Sequence, residues 1–548
     1  MIVLAALALG CYFRFTGLDH KVYDGDEVYS SLHMFGETEA PLVRQATRFR
    51  GAHDLWLVLH PSSAGGSPDW LAPARALATE EPQSPPAYYE LAHFWVGAFG
   101  NSIATTRLLS ALLSLLALPC AFWLAVELYG SRRAGWLALA LVSLSPVQVL
   151  FAQQAREYAL WSAALLALTA AVLRAMRLGG TKEWALVAAL FAFALYVDPL
   201  TLLLGGALLL AATLLAARRD WGIPLRCALA LGVGLVANLP WLAILLSNLR
   251  ASSRGMNSIL VSRLSPLEVL RVFAGGLRLS FLDLDFEHTS KLGVVSTAVA
   301  VIVIVVALAF VVRRYGARAW LFVLLPIAAT SLPFVLADLL VGGQRVINFR
   351  YFIPTMLFID LAVVGLLAAA TTARNRRVAG AAYLAVVVLL AARIVSCAAS
   401  ARANTWWSEQ WDDSIAVARA IDSAPHSLLV SDDYLLYSLA LSNYLRPDVE
   451  VVLRPQCYLC ADRNLPRVSA GDLPRGHFGT VFALGPSPQL QQLLKTEVPR
   501  RYPGARYRCI NVRQNCTSDL NIEPLLAPAP PRNALASAQE SFEDERSR

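Results

Sequence analysis

Three carboxylates stand within four residues shortly after the first apolar segment of the chain: Asp24, Asp26 and Glu27. Acids this close raise one another's pKa and can bind a divalent cation, and such an acid can accept a proton from a hydroxyl group. In an arbitrary membrane protein, the same cluster is more often a solvated turn at a helix end. The spacing leaves two interpretations open: a structural turn, or a site of acid–base or metal chemistry.

Two other polar turns carry arginines at the boundaries of apolar segments. Residues 153–158 read Gln-Gln-Ala-Arg-Glu-Tyr, and residues 350–354 read Arg-Tyr-Phe-Ile-Pro. A single arginine at such a boundary is usually an anchor that extends its charged end to the membrane surface. A third segment, Pro-Pro-Ala-Tyr-Tyr at 85–89, is typical of a helix start. Taken one at a time, these segments indicate only local structure.

The composition indicates that most of the chain lies in a membrane. Of the 548 residues, 56% are hydrophobic and only 16% are charged, and the mean hydropathy of +0.51 lies above that of soluble domains. The net charge of +8 comes almost entirely from arginine. No basic stretch runs beside a soluble aromatic surface, so nucleic-acid binding is not expected.

The apolar segments predict about eleven membrane spans, since a helix needs about 20 mostly apolar residues to cross the hydrocarbon core. The first segment lacks the basic start and cleavage site of a signal peptide, and is expected to remain as a helix. The predicted spans are 1–18, 104–128, 134–151, 158–173, 184–197, 200–217, 225–247, 293–312, 319–341, 351–371 and 378–397.

Orientation follows from arginines in alternate short loops, which the positive-inside rule assigns to the cytoplasm. The segments 184–197 and 200–217 are short, and a single bent helix there would reverse the side of everything that follows. The predicted cytoplasmic loops lie at 132–133, 174–182, 218–226, 313–318 and 374–377. The predicted outward segments are 19–103, 152–157, 198–199, 248–292, 342–350 and everything after 398.

Three regions are predicted along the chain: a membrane module at 1–398, a small outward-facing α/β domain at 399–526, and a disordered tail at 527–548. In the first loop, 39–59 and 85–99 have helical spacing and are expected to lie along the membrane surface. In the α/β domain we expect strands at 427–430, 449–453 and 480–484, and helices at 411–421, 435–444 and 489–498.

Four cysteines fall in the predicted outward domain: Cys457, Cys460, Cys509 and Cys516. A zinc ribbon prefers two residues between the cysteines of each pair, and the second pair is spaced too widely. Disulfides are expected for an oxidising compartment. A metal site and free thiols remain the alternatives.

In this order, the motifs resemble those of the GT-C membrane glycosyltransferases. The similar branch includes the protein O-mannosyltransferases, the lipid A aminoarabinose transferases and the Rgt-like lipopolysaccharide sugar transferases. No single motif is specific, but their order is. The resemblance covers residues 1 to about 215 well and the remainder only by layout. It is carried by the Asp-Glu pair at 26–27, Pro-Pro-x-Tyr-Tyr at 85–89, Arg-Leu-Leu-Ser-Ala at 107–111, Gly-Ser-Arg-Arg-Ala-Gly at 130–135, Gln-x-Ala-Arg-x-Tyr at 153–158, and Arg-Tyr-Phe-Ile-Pro at 350–354.

The resemblance implies an all-α polytopic membrane protein of GT-C type with a small C-terminal α/β extracytoplasmic domain. It also implies a polyprenyl-phosphate-linked sugar donor, a lipid, glycan or protein acceptor, and catalysis on the outer face of an inner (plasma) membrane. Asp26 becomes the expected general base or acceptor-orienting acid, with Glu27 beside it as a second catalytic candidate. The expected substrate-binding residues are Arg156 and Arg350 for the donor phosphate, with Glu157, Tyr158, Arg345 and Tyr351 around them.

This chain departs from the pattern at Gln154, where relatives often have glutamate. The neutral side chain puts a second catalytic carboxylate or a metal ligand there in doubt. No cofactor is certain, and a divalent metal remains possible.

Two other functions compete. A flippase or transporter would carry its charges at mid-membrane and would show paired repeats, and an inactive envelope scaffold would not need the Asp26 and Glu27 pair.

Overall fold

The computed structural model describes residues 2–61, 69–216, 221–249, 263–284, 290–405, 414–460 and 466–510. Short 3₁₀ turns lie at Ala46–Arg48, Arg345–Ile347, Phe349–Phe352 and Ala470–Asp472. The helices are α1 (Ile2–Phe15), α2 (Gly25–Met34), α3 (Glu39–Gln45), α4 (Ala52–Leu59), α5 (Ala72–Glu80), α6 (Ala87–Phe99), α7 (Ile103–Ser114), α8 (Ala117–Tyr129), α9 (Arg132–Ser143), α10 (Pro146–Ala152), α11 (Tyr158–Leu178), α12 (Thr181–Val197), α13 (Thr201–Ala216), α14 (Gly222–Ala237), α15 (Leu239–Ser247), α16 (Pro266–Arg278), α17 (Lys291–Arg314), α18 (Ala317–Leu340), α19 (Ile353–Ala370), α20 (Arg376–Arg402), α21 (Ser414–Asp422), α22 (Leu435–Ser442) and α23 (Pro488–Arg501).

The helical part is a polytopic bundle, as predicted, but the count of eleven spans is not confirmed. Within the described ranges, six helices are long and apolar enough to cross a membrane, or up to eight if each of two bent pairs is one span. The bent pairs are α9 with α10 (57°) and α14 with α15 (62°). α1 and α13 are apolar but shorter. α12 and α13 are separate helices on either side of residues 198–200.

The bend between α9 and α10 has an identifiable cause. Pro146 opens α10, so the backbone ladder is interrupted, and the last carbonyls of α9 lack partners within the helix. Two buried arginines bind them instead: Arg14 Nη2 donates to Val142 O at 3.1 Å, and Arg393 Nη1 donates to Leu141 O at 2.6 Å. The bend is therefore fixed from both sides, which sets the position of the polar turn after α10.

Two of the predicted cytoplasmic loops, 174–182 and 313–318, meet at one end of the bundle beside the end of α8. Glu127, near the end of α8, binds Arg177 Nη2 of α11 at 2.7 Å and lies 3.8 Å from Arg318 Nη2 of α18. α11 runs from Tyr158, beside the polar turn, to Leu178 at this basic end. The basic loops and the acidic cluster therefore lie at opposite ends of the bundle.

The C-terminal region is an α/β domain with a four-stranded parallel sheet of order β2-β1-β3-β4. The three predicted strands are confirmed, and so are the helices at α22 and α23. The sequence did not reveal β4, because its arginines at 506 and 508 hide the pattern of a strand. Part of the predicted helix 411–421 lies outside the described residues, and α21 covers the rest. The strands are β1 (Ser427–Ser431), β2 (Glu450–Leu453), β3 (Thr480–Leu484) and β4 (Arg506–Ile510).

The first loop packs against this domain. Residues 39–59 form α3, a 3₁₀ turn and α4. Their apolar sides share a hydrophobic cluster with α2, α22 and the β-sheet. The backbone at 50–52 extends the sheet edge, since Val451 N donates to Arg50 O at 2.9 Å and Ala52 N donates to Val449 O at 2.8 Å. The loop therefore connects the membrane bundle to the domain.

Disulfides are present where the sequence predicted them. Cys457 and Cys460 are bonded to each other, and Cys509 is also disulfide-bonded. Cys516 and the predicted tail 527–548 lie outside the described residues. The Cys457 and Cys460 sulfurs are therefore joined to each other instead of forming half of a zinc ribbon.

Candidate functional site

The acidic segment begins α2, and two of its carboxylates are used to start that helix. Asp24 is the N-cap: its Oδ1 accepts a hydrogen bond from Glu27 N at 2.8 Å. Glu27 reaches back, and its Oε2 accepts from Asp24 N at 3.4 Å. Such a capping box satisfies backbone N–H groups at a helix start. Asp24 and Glu27 are both fully buried.

Glu27 also forms a buried ion pair with Arg107 of α7. The Arg107 Nε and Nη2 atoms donate to the two carboxylate oxygens at 2.8 and 2.5 Å. The same guanidinium donates to Leu18 O at 2.7 Å and to Val22 O at 2.8 Å. Burial raises the pKa of Glu27, and Arg107 opposes that rise. The pair fixes both the segment after α1 and the first turn of α2.

The polar turn after α10 docks on the same carboxylates. Gln154 Nε2 donates to Asp24 Oδ2 at 2.8 Å, and Ala155 N donates to Glu27 Oε1 at 2.8 Å. A glutamate at 154 would place a third carboxylate against two buried ones and would lose this donor. The neutral residue therefore fits its neighbours in this chain.

Asp26 has a different environment from its two neighbours. Its side chain is 28% exposed and forms an ion pair with Arg350, which is 21% exposed and stands just before α19. The two residues are separated by 324 positions in the chain. The structure thus brings together one predicted catalytic residue and one predicted phosphate-binding residue at an accessible place.

Arg156 lies beside this pair, over aromatic rings. Its Nη1 is 3.4 Å from Asp26 O, and its guanidinium lies 6.0 Å from the Tyr89 ring centre and 5.7 Å from that of Tyr158. Glu157 balances the charge, with Oε2 at 3.3 Å from Arg156 Nε, and it also accepts from Tyr89 OH at 3.1 Å. Arg156, Glu157 and Tyr158 therefore form one unit next to Asp26.

The two remaining predicted substrate-binding residues support the segment that carries Arg350. Arg345 Nη1 binds Asp338 Oδ1 at 2.7 Å, and Val346 N donates to Asp338 Oδ2 at 2.8 Å. The Tyr351 ring stacks on Phe334 of α18 at 5.3 Å. These contacts hold the turn between α18 and α19. In this structure the Arg345 guanidinium therefore binds Asp338 and stabilises that turn.

Sequence reasoning did not select Asp198 or Arg107. Asp198 ends α12, and its Oδ1 accepts from Leu200 N at 2.7 Å. Burial raises the pKa of Asp198 to about 8, with nearby Glu157 adding to the rise. In the sequence, the signal that points to Asp198 is its isolated Asp-Pro turn between two apolar segments. Arg107 lay within a recognised motif, but only the structure shows its partner.

A metal site finds no support in the side-chain geometry of the described ranges. No group of three or more His, Cys, Asp or Glu side chains there is arranged to hold a metal ion. Asp24 and Glu27 have hydrogen-bond partners on all four carboxylate oxygens.

Comparison with known proteins identifies solved structures that share the fold of this chain. No family model and no curated protein matches the chain. Among solved structures, ArnT from Cupriavidus metallidurans bound to undecaprenyl phosphate aligns with a TM-score of 0.51 and 14% identity, over 92% of this chain and 89% of that one. The apo state of ArnT aligns over the same shares, with a TM-score of 0.50. AglB from Archaeoglobus fulgidus, in complex with an inhibitory peptide and a dolichol-phosphate, aligns with a TM-score of 0.44 and 12% identity, over 81% of this chain and 63% of that one.

The alignment with ArnT confirms the predicted fold class. ArnT is a lipid A aminoarabinose transferase with the GT-C fold. The match extends over nearly the whole chain, from the helical bundle into the C-terminal domain. The chain therefore has the fold of the GT-C glycosyltransferases.

Proposed function

We propose that this protein is a membrane glycosyltransferase that moves a sugar from a polyprenyl-phosphate-linked donor to a hydroxyl group of a lipid, glycan or protein acceptor. The observation that carries the proposal is the meeting of Asp26 with Arg350, next to Arg156, in a chain with the GT-C fold. An accessible acid and two arginines match the needs of a reaction that deprotonates an alcohol and releases a phosphate.

The acceptor hydroxyl is the nucleophile in this mechanism. Its oxygen attacks the anomeric carbon of the donor sugar, and the bond between that carbon and the phosphate oxygen breaks with its electron pair going to the phosphate. Asp26 takes the hydroxyl proton, since an alcohol is too weak an acid to react unaided. A single displacement inverts the configuration at the anomeric carbon, and the other product is polyprenyl phosphate.

Arg350 and Arg156 bind the phosphate that leaves. Negative charge grows there as the bond breaks, and preorganised guanidinium groups stabilise it. Before the donor binds, Arg350 neutralises Asp26. The donor phosphate is a diester with one negative charge, and it competes for Arg350, so donor binding frees the Asp26 carboxylate to act on the acceptor. The base is then active only when the donor is in place.

Glu27, Glu157 and Tyr89 position the residues that act on the substrates. The Glu27 carboxylate is fully buried and bound to Arg107, so it presents no free face to a substrate. It fixes the first turn of α2, on which Asp26 stands. Glu157 and Tyr89 likewise orient Arg156. We propose Glu27 as a positioning residue rather than a second base.

An apolar groove between α13 and α18 fits the polyprenyl chain. Its volume is about 500 Å³. One end, at Leu202 and Leu336, adjoins the turns that carry Asp198 and Arg345, and the other reaches Leu210 and Leu325. By helix rise, the groove extends roughly 12 Å along α13. A Cβ added to Gly206, in the groove wall, would meet no atom within 4 Å, so the groove is open there.

The placement of the reaction follows from the two ends of the bundle. The clustered basic loops at Glu127 belong on the cytoplasmic side by the positive-inside rule. The site lies at the opposite end, so we propose that it opens to the outer face of an inner (plasma) membrane. The disulfide at Cys457 and Cys460 fits an oxidising compartment for the C-terminal domain.

The direct experiment is a transfer assay. Purified protein in lipid would be incubated with radiolabelled polyprenyl-phosphate sugars and a membrane extract, with the Asp26→Asn variant as the matched control. The proposal predicts label in a new product with the wild type only. Donor movement across the bilayer without any transfer would favour a flippase, and neither transfer nor movement with every sugar tested would oppose the proposal.

A further inference from the structure

A carboxylate from the first loop binds inside the disulfide loop of the C-terminal domain. Residues 457–460 follow β2, and the Cys457–Cys460 bond closes them. Tyr458 N and Leu459 N both point at Glu39, with distances of 3.0 Å to Oε1 and 2.8 Å to Oε2. Glu39 is only 1% exposed. We call Glu39 and residues 457–460 the clamp.

A third donor links the clamp to the helix that carries Asp26. Tyr29 OH donates to Glu39 Oε2 at 3.2 Å, and its ring stacks on Tyr458 at 6.4 Å between centres. Tyr29 stands three residues after Asp26 in α2, on the same helix face. The Glu27–Arg107 pair fixes the first turn of α2, while the clamp fixes the turn that follows.

The backbone at Glu39 is held by the carboxylate of Glu80. Glu80 Oε1 accepts from Glu39 N at 2.7 Å and from Ala40 N at 3.3 Å, so it caps the start of α3. The other Glu80 oxygen lies 3.4 Å from His33 Nε2 of α2. The backbone of Glu39 is therefore held independently of residues 457–460, and the Glu39 side chain extends from it to those residues.

The C-terminal domain is attached to the first loop without the clamp as well. The backbone at Arg50 pairs with Val451. His60 Nε2 lies 2.9 Å from Asn443 Oδ1, and the shared hydrophobic cluster covers the rest of the contact. Loss of the clamp would leave the domain docked. Its specific effect would be on α2, and therefore on Asp26.

We propose that Glu39 is a positioning residue for the transfer reaction, and that the Cys457–Cys460 disulfide keeps its two amide partners aligned. The inference rests on the proposed function, because it concerns the placement of Asp26. A dithiol reductant would break the S–S bond, leaving two thiols on the protein and a cyclic disulfide of the reductant. The four-residue loop would then lose its constraint, the two amides would diverge, and α2 would gain freedom.

Kinetics of Glu39 variants test this directly in the full-length protein. Glu39→Ala should lower kcat about tenfold and leave the donor KM within about twofold, because small misplacement of a catalytic group mainly slows the chemical step. Glu39→Gln should restore part of the rate, since the amide oxygen still accepts hydrogen bonds. The matched control is Asp54→Asn: Asp54 accepts from Arg50 N and Gly51 N in the same loop but lies outside the clamp. Equal losses in the Glu39 and Asp54 variants, or none in Glu39→Ala, would overturn the proposal.

The disulfide is tested with two paired cysteine variants. Cys457→Ser with Cys460→Ser should reproduce the loss of kcat and should make the remaining activity insensitive to dithiothreitol. Cys509→Ser with Cys516→Ser should keep both the activity and the sensitivity. Full activity in the first pair would contradict the inference, as would dithiothreitol sensitivity that disappears only in the second pair. If the first pair does not fold, wild-type activity must fall on reduction and return on reoxidation, and unchanged activity would overturn the proposal.

Hydrogen–deuterium exchange separates this inference from the proposed function, because it needs no substrate. In Glu39→Ala or after reduction, the amides of 458 and 459 and those of residues 29–34 should exchange faster. Exchange in β1 and β3 should not change. Faster exchange without any transferase activity in the wild type would leave the clamp standing and refute the reaction. Unchanged exchange in α2 would refute the clamp's role even in an active enzyme.

Discussion

Two carboxylates that are neighbours in the chain have opposite environments in this protein. Glu27 is fully buried, is bound at both oxygens by Arg107, and accepts another hydrogen bond from Ala155 N. Asp26 is partly exposed and has one arginine, Arg350, which is also partly exposed. A buried pair is costly to break, whereas an exposed pair is weak and can be exchanged for another ligand. The Glu27–Arg107 pair therefore suits a structural role, and the Asp26–Arg350 pair suits a role in the reaction.

The comparison also explains the role of the arginines. Arg107 donates to three backbone carbonyls, those of Leu18, Lys21 and Val22, in addition to Glu27, so a ligand could bind it only by dismantling the segment after α1. Arg350 has no such backbone partners among the hydrogen bonds of the described residues, and its ion pair with Asp26 can be replaced by a phosphate. For these two adjacent acids and their arginines, the difference in burial matches the proposed division between positioning and binding.

The largest effect is expected from Arg107→Ala. It leaves the Glu27 charge buried without its partner, which costs about 3–5 kcal/mol in folded proteins. Protein yield, thermal stability and transfer should all collapse together. A double variant, Glu27→Gln with Arg107→Met, should regain the part of the stability that the unpaired charge costs, but not the part due to the Arg107 hydrogen bonds to backbone carbonyls, and little of the activity. Normal stability of Arg107→Ala, measured by thermal unfolding in detergent, would show that the pair is not architectural.

The Asp26–Arg350 pair, which is partly exposed, should behave in the opposite way. Arg350→Ala should lower transfer about 10²-fold through lost stabilisation of the leaving phosphate, with thermal stability close to the wild type. Arg350→Lys should restore only part, since lysine does not bond phosphate in the same two-point manner. Arg156→Ala should lower transfer by a similar factor but should also cost stability, because Arg156 is only 5% exposed and is paired with the buried Glu157. Wild-type donor kinetics in both alanine variants would remove these residues from the site.

A smaller effect is expected where the polar turn docks on the acids. Gln154→Glu removes the donor to Asp24 and adds a charge beside two buried carboxylates. We expect a loss of about 1–3 kcal/mol in the free energy of unfolding, as for other buried groups that lose a partner. Gln154→Asn is the neutral control. A glutamate variant as stable as the wild type would mean that the acidic cluster tolerates a third charge.

The smallest effect is expected in the groove between α13 and α18. Gly206→Leu fills open space, so folding should be unaffected. The KM for a long-chain donor should rise about three- to tenfold, in line with a few lost apolar contacts. A donor with a short prenyl chain should show little change. An equal KM change for both donors would place the lipid chain elsewhere.

The sequence allowed the fold class and three of the four strands to be predicted, because hydropathy and motif patterns can be read directly from it. It did not determine the number of spans, since α9 and α14 each bend into a second helix at a proline-containing break. Nor did it pair Asp26 with Arg350 or Glu27 with Arg107. Such contacts join distant segments, and only packing decides which of two adjacent acids is buried.

The roles within the acidic segment were accordingly predicted only in part. Asp26 was selected for its place in a motif, and Glu27 was grouped with it as a second catalytic candidate. The capping box was readable in principle, since an aspartate three residues before a glutamate is a helix-start signature. This signature indicates structural roles for Asp24 and Glu27 and leaves Asp26 as the acid that is free of the cap.

The most direct test of the central claim compares Asp26→Asn with the wild type in the presence of a labelled polyprenyl-phosphate sugar. Asparagine keeps the size of the side chain but removes the base, which contributes roughly 10²–10⁴ in rate in other enzymes. We predict that Asp26→Asn folds normally and binds the donor at least as tightly as the wild type, because Arg350 loses its competing carboxylate, while single-turnover transfer falls by about that factor, and that Asp24→Asn loses much less. Transfer by Asp26→Asn at the wild-type rate would contradict the assignment of the base and the division between the two ion pairs.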